Sequence, residues 1–177
     1  VTEPSTVLRI REFDRLAREF LTRHPRGVVV HIGCGLDTRF ERMENGQAEW
    51  FDLDLPEVID LRRSLLGTDG GRYHLLGCSV FENAWLEALE PYRDCAMLFM
   101  AEGVLPYFEE AQVKKLVLAL REHFPGAELV CDGISPLIRW TDNLKLAMTR
   151  VKARIHWGLK NGKDLESWAP GIALLEE

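Results

Sequence analysis

The sequence has no CxxC pair, no HxxxH or HxH spacing, no long apolar run and no surplus of positive charge. Each absence removes a class of function. Without paired cysteine or histidine motifs, a zinc or iron centre has no sequence support. The four cysteines (Cys34, Cys78, Cys95 and Cys131) are far apart, and three lie within or at the end of apolar, strand-like runs. They are expected to be free thiols in a reducing, cytoplasmic compartment. With 28 acidic against 22 basic side chains and a net charge of −6, the chain is not built to neutralise a phosphate backbone, so no nucleic-acid partner is expected. No apolar stretch reaches the roughly 18 residues that span a bilayer, so no membrane partner is expected either. No charged-then-apolar leader is visible.

What is present fits one globular domain. A chain of 177 residues, 46% hydrophobic and 28% charged, is long enough for a real core. No internal repeat or low-complexity tract interrupts it. The first residue is Val1, and both ends are expected to be trimmed or disordered.

Periodicity divides the chain into alternating elements. In "LRIREFDRLAREFLTRHP", Leu8, Phe13, Leu16, Ala17, Phe20 and Leu21 recur at helical spacing, with Pro25 after the end. The apolar run 27–34 predicts a strand buried on both faces. A second strand over 48–55 closes at Pro56, which suits the first turn of the next helix. Strands are also predicted over 72–81, within 95–107 and over 127–135. A short helix is expected around Trp85–Leu89, and another through "EEAQVKKLVLALREHF". There Val113, Leu116, Val117, Leu120 and Phe124 form one stripe. After Pro136 a mixed helix is expected over 137–159, then a short helix and the start of a last strand. The alternation predicts an α/β, doubly wound, mostly parallel Rossmann-like sheet. The expected division is an N-terminal helix (1–25), a core (27–135) and an acceptor or lid segment (136–177).

In such a sheet, ligands bind beyond the carboxyl ends of the strands where strand order reverses. The first exit loop is "GCGLDT", whose Gly33 and Gly35 let backbone approach a ligand closely. N–H groups at the following helix start favour a carboxylate or phosphate. A nucleotide-type cofactor loop, an anion site and an ordinary turn all remain open on these glycines alone. Asp54 lies 21 residues after Gly33, the interval at which an acidic side chain meets a ribose. A dinucleotide fingerprint would place a third glycine where Thr38 stands. S-adenosylmethionine, with no pyrophosphate, fits that departure better. Glu102 closes the fourth strand in the same crevice, where it would meet a ligand ammonium or only solvent.

Together, "VVVHIGCGLDTRF", "WFDLDLPEVIDLRRSLL" and "AEGVLPYFEEAQVKKLVLALREHFPGAELVCDGISPL" resemble the leucine carboxyl methyltransferase family. The likeness is to its bacterial branch of polyketide-type O-methyltransferases and runs from about Arg9 to beyond Trp168. It implies a class I fold, S-adenosyl-L-methionine as cofactor without a metal, and methyl transfer to a carboxylate or hydroxyl of a small-molecule, polyketide-like acceptor. It further implies that Gly33 and Gly35 wall the methionine part, that Asp54 holds the ribose hydroxyls and that Ser79 and Val80 flank adenine. Glu102 is implied as a cofactor-binding glutamate, and an arginine before the first strand (Arg9, or else Arg11) as the partner of the cofactor carboxylate. In this signature Asp37 is expected to cap a helix and Arg39 to pair with an acid.

Two departures stand out. His31 occupies a position where many class I enzymes carry an acid, and is expected to be a satisfied strand-end residue. Ser79 replaces an acid found in related enzymes. The family's final strand pair is expected to lie past residue 177. Trp140 and Trp157 are candidates for an acceptor pocket, and Trp50, Trp85 and Trp168 for core or lid. The competing functions are a non-catalytic S-adenosylmethionine-binding relative and an NAD-dependent oxidoreductase. Nothing in the sequence specifies the oligomeric state.

Overall fold

The computed structural model describes residues 4–67, 69–147 and 153–177. Six α-helices and five strands alternate along it: α1 (Pro4–Arg23), β1 (Val28–Ile32), α2 (Arg39–Met43), β2 (Glu49–Asp54), α3 (Pro56–Leu66), β3 (Tyr73–Gly77), α4 (Ala84–Leu89), β4 (Met97–Ala101), α5 (Glu110–His123), β5 (Glu128–Cys131) and α6 (Pro136–Ala147). The strands form one parallel sheet in the order β3-β2-β1-β4-β5. This is the doubly wound α/β arrangement that the alternation predicts. The strand order reverses between β1 and β4, so a crevice opens beyond their carboxyl ends.

Burial follows from the pleat. Every residue of β1 and β4 is buried, as expected for central parallel strands covered on both faces. On one face, Val28, Val30, Ile32, Phe51, Leu53 and Phe99 meet Trp85, Leu86 and Leu89 of α4. The stripe of α5 (Val113, Leu116, Val117 and Leu120, with Phe124 just beyond) completes that layer. Helix α5 starts at a capping box, in which Glu109 N–H donates to Gln112 Oε1 (3.0 Å) and the Glu109 side chain accepts from the Gln112 backbone. On the other face, Phe13, Ala17, Phe20 and Leu21 of α1 pack on Val29, Trp50, Leu98 and Met100. Pro56 opens α3, where its missing N–H costs nothing.

Three sequence expectations change. The third strand stops at Gly77 because the chain turns through Ser79–Glu82, whose ends are joined by a Glu82 N–H to Ser79 O bond of 3.0 Å. The helix after Pro136 is described only to Ala147; residues 148–152 of the expected helix lie outside the described residues. Residues 153–159 are not helical, because the N–H groups of His156 and Trp157 donate to Pro106 O (2.8 and 3.1 Å). A 3-10 turn spans Gly162–Trp168, and residues 169–177 contain no strand.

Candidate functional site

Beyond the carboxyl ends of β1, β2, β3 and β4 lies a cleft of about 270 Å³. Its lining includes Gly33, Asp54, Ser79 and Val80 from the sequence-derived set, joined by Gly103 and the aromatic rings of Phe81 and Phe108. Those two rings meet edge to face with centroids 4.7 Å apart. Main-chain turns bring the pieces together. Gly33 and Gly103 close β1 and β4 in the left-handed region (φ 68° at each). A Cβ on Gly33 would stand 2.3 Å from Val104 Cγ2, so a side chain has no room there. Gly35 is also left-handed (φ 52°).

Asp54 sits at the last position of β2 with its carboxylate on the cleft wall. One oxygen accepts from the Gly35 N–H and the other from the Leu55 N–H, both at 2.8 Å. The loop amides are otherwise used internally: Gly33 and Cys34 donate to Leu53 O, and Asp37 donates to Cys34 O. The N–H groups of Gly33, Cys34, Gly35 and Asp37 are thus already bonded within the loop and to the end of β2.

A second group of charges lies beside the cleft. Glu102 accepts from Arg9 Nε at 3.0 Å and from Arg39 Nη2 at 2.6 Å. Arg9 Nη1 donates to Asp132 at 3.1 Å, and Asp132 also takes the Gly103 N–H at 2.9 Å. The Arg9 Nη2 end lies 3.5 Å from where a Gly103 Cβ would stand, next to the cleft. Arg11 is exposed on α1 and forms none of the Arg9 contacts. Arg39 is fully buried and meets three carboxylates: Asp14 (2.8 Å), Asp37 (3.2 Å) and Glu102. Burial works against the charge on Asp14, but Arg42 and Arg39 outweigh it and hold its carboxyl below the usual range. Asp132 moves up, because burial outweighs Gly103 and Arg9. Asp37 does not cap α2: the N-cap is Thr38, without a side-chain bond, and Asp37 pairs with Arg39 and Arg42 instead.

Beneath the glycine loop is a buried polar cluster that sequence reading missed. Asp52 accepts from Trp50 Nε1 and from the Tyr73 hydroxyl, each at 2.8 Å, and pairs with Arg62 at 2.6 Å. Arg62 also donates to Tyr73 Oη (2.8 Å) and to Gly35 O (3.0 Å). A sequence signal existed: Arg62 lies one helical turn after the buried Ile59, and Asp52 shares a strand face with Trp50 and Asp54. His31 is also on that face. Its Nε2 is 3.4 Å from Arg39 Nη1, while its Nδ1 lacks a hydrogen-bond partner among the described residues. It is thus only half satisfied. Burial, reinforced by the Arg39 charge, pushes its pKa down to about 3, so the ring is neutral and cannot replace the acid common in class I enzymes.

The tryptophans sort by burial. Trp50 is core on the α1 face of the sheet and Trp85 on the other, where Trp157 is also buried and Trp168 packs against it. Trp140 is exposed and lines a separate pocket of about 330 Å³ with Arg139, Asn143, Arg154 and His156. Among the described residues, no group of three or more His, Cys, Asp or Glu is placed to hold a metal ion. Nor is any described helix long and apolar enough to cross a membrane.

The strand order and the crevice are those of a Rossmann-like, doubly wound fold of the kind class I methyltransferases have, and the fold is shared with a solved protein of Thermobifida fusca YX at a TM-score of 0.61. That match is 19% identical and covers 86% of this chain and 60% of the other. The family model described as leucine carboxyl methyltransferase matches residues 2–120, and the chain belongs to that family. It is 34% identical over 170 residues to the tetracenomycin polyketide synthesis O-methyltransferase TcmP of Streptomyces glaucescens, covering 96% of this chain and 62% of that protein. It is also 26% identical over 180 residues to the S-adenosyl-L-methionine-dependent methyltransferase dpfgK of Gibberella zeae, covering 95% and 60%. The chain thus spans about three fifths of the length of these relatives.

Proposed function

We propose that the chain forms the cofactor-binding part of an S-adenosyl-L-methionine-dependent O-methyltransferase acting on a small, polyketide-like acceptor. The observation that carries this reading is the cleft: an apolar, aromatic-rimmed wall for a flat base, with a single carboxylate, Asp54, at the end of β2. The lining suits a nucleoside. Ile32, Leu53, Val80 and Phe81 offer apolar surface, and Asp54 has lone pairs left for hydroxyl donors after its two backbone bonds. Thr38 stands where a dinucleotide fingerprint places its third glycine, which disfavours a dinucleotide.

Bound there, S-adenosyl-L-methionine supplies a sulfonium methyl already activated for in-line displacement. The protein's part is positioning. Asp54 orients the ribose, Ser79 and Val80 flank the base, and Gly33 walls the methionine portion, with Gly35 behind it holding Asp54. Arg9 and Glu102, which pair with each other beside the cleft, are the cation and anion assigned to the two charged ends of that portion. Among the described residues that line the cleft there is no histidine or lysine, burial raises the Cys78 thiol, and the one carboxylate, Asp54, is assigned to the ribose. A carboxylate acceptor needs no base, which makes it the better match of the two acceptor types. Residues 136–177, with the Trp140 pocket, are the proposed acceptor-facing or lid segment.

Calorimetric titration with S-adenosyl-L-homocysteine tests the reading. Micromolar binding to the wild type, lost in Asp54→Ala, is expected. Failure of the intact protein to bind overturns it, and binding of NADH instead replaces it with the oxidoreductase reading. Tight binding without methyl transfer to any acceptor in a broad screen would leave only a cofactor-binding relative.

A further inference from the structure

The Asp52–Arg62 pair lies directly under the glycine loop, and both side chains are 1% exposed. A buried ion pair is a poor device for stability alone, since well-packed apolar side chains of similar volume often do as well or better. Its contacts indicate a different use. Arg62 sets all three of its nitrogens against partners: Nη2 lies 2.6 Å from Asp52 as an ion pair without hydrogen-bond geometry, while Nε donates to the Tyr73 hydroxyl and Nη1 to the carbonyl of Gly35. Asp52 is fixed in turn by Trp50 Nε1 and the Tyr73 O–H. Gly35 is therefore gripped at both polar atoms, its C=O by Arg62 and its N–H by Asp54. With φ at 52°, this residue would otherwise have wide conformational freedom.

The structure assigns to Arg62, held by Asp52 and Tyr73, the role of a positioning residue that sets the Gly35 peptide plane and, through its N–H, the orientation of the Asp54 carboxylate in the cleft. Arg62 does not line the cleft and acts only through the loop. This role rests on the reading of the cleft as an S-adenosylmethionine site. It makes a specific claim: removing the strut weakens ligand binding because Asp54 is misplaced, so the two losses overlap.

The test is a cycle of affinities for S-adenosyl-L-homocysteine among the wild type, D54N, D52N/R62M and the triple variant, with melting temperature followed alongside. D52N/R62M removes both buried charges together, so no unpaired ion is left in the core. D54N is expected to bind about 100-fold weaker, having lost charge-assisted bonds to hydroxyls. D52N/R62M is expected to bind about 10-fold weaker, and the triple variant within about 2-fold of D54N. An anchor joining α3 to the sheet, with no link to Asp54, would lower the melting temperature but leave the two affinity losses multiplicative. Multiplicative losses, or D52N/R62M binding within 2-fold of the wild type, overturn the assignment. Wild type that does not bind the ligand overturns the methyltransferase reading and this role with it, and that arm is read first. Should D52N/R62M not fold, R62K takes its place in the cycle with the same expected pattern. Lysine keeps a cation beside Asp52 but cannot reach Asp52, Tyr73 and Gly35 at once.

Discussion

Replacing Arg39 with methionine tests the charged network at its centre. The side chain is fully buried and holds Asp14, Asp37 and Glu102 at 2.8, 3.2 and 2.6 Å. Methionine has comparable length but no charge, so the variant removes a cation and leaves three carboxylates facing a buried apolar group. Breaking a buried pair by removing one partner costs about 3–5 kcal/mol. Here the lower end applies, because each acid keeps a second cation: Arg9 remains beside Glu102, and Arg42 beside Asp14 and Asp37. The expected loss is therefore about 3 kcal/mol. For a domain of this size, that corresponds to a fall in melting temperature of about 6–12 °C. Urea unfolding followed by the fluorescence of buried Trp50 and Trp85 measures it directly. A loss below about 1 kcal/mol, with the denaturant slope unchanged, would show that the remaining arginines suffice and that Arg39 is not what binds α1 to α2.

Two further perturbations probe the loop and the sheet beneath it. Gly33→Ala combines left-handed strain with a contact 2.3 Å from Val104 Cγ2, and is expected to cost about 2–4 kcal/mol by urea unfolding. Adding Val104→Ala should restore about half of that loss, and no restoration would rule out the clash as a cause. His31 bears on pH dependence. Its pKa is about 3 in the fold against 6.5 ordinarily, so the unfolded chain binds a proton that the folded one refuses between those values. Stability should fall as pH drops from 6.5 toward 3, and His31→Gln should flatten that decline by up to about 1.4 kcal/mol per pH unit. Urea midpoints for the two proteins that run parallel from pH 7 to 4.5 would exclude His31 as the source.

Much of the fold was legible because it depends on local periodicity. The helical stripe of α5, the continuous apolar run of β1 and the proline opening α3 each declare an element without reference to anything distant. The cleft lining was partly legible for a similar reason: strand ends are predictable, and Gly33, Asp54, Ser79 and Val80 all fall at them. Pairing was not legible. Arg9 meets Glu102 and Asp132 across 93 and 123 residues, and Asp14 reads in sequence as one more polar residue of an amphipathic helix. In "DLRRSLL" the two arginines look alike, yet Arg62 is buried and Arg63 faces outward to Asp60. The segment after Pro136 misled because its helical pattern continues past the point where Pro106 O captures the N–H groups of His156 and Trp157.

Helix α1 carries Arg9 into contact with the ends of β4 and β5 and Asp14 into contact with α2, so it buttresses the flank of the cleft as well as covering a sheet face. Anyone shortening the protein for expression would be tempted to start just ahead of Gly27, where the sheet begins. Such a fragment would keep every strand yet strip counter-charges from Arg39, Glu102 and Asp132 in one cut. Helix α1 is better regarded as a keystone than as a dispensable overhang.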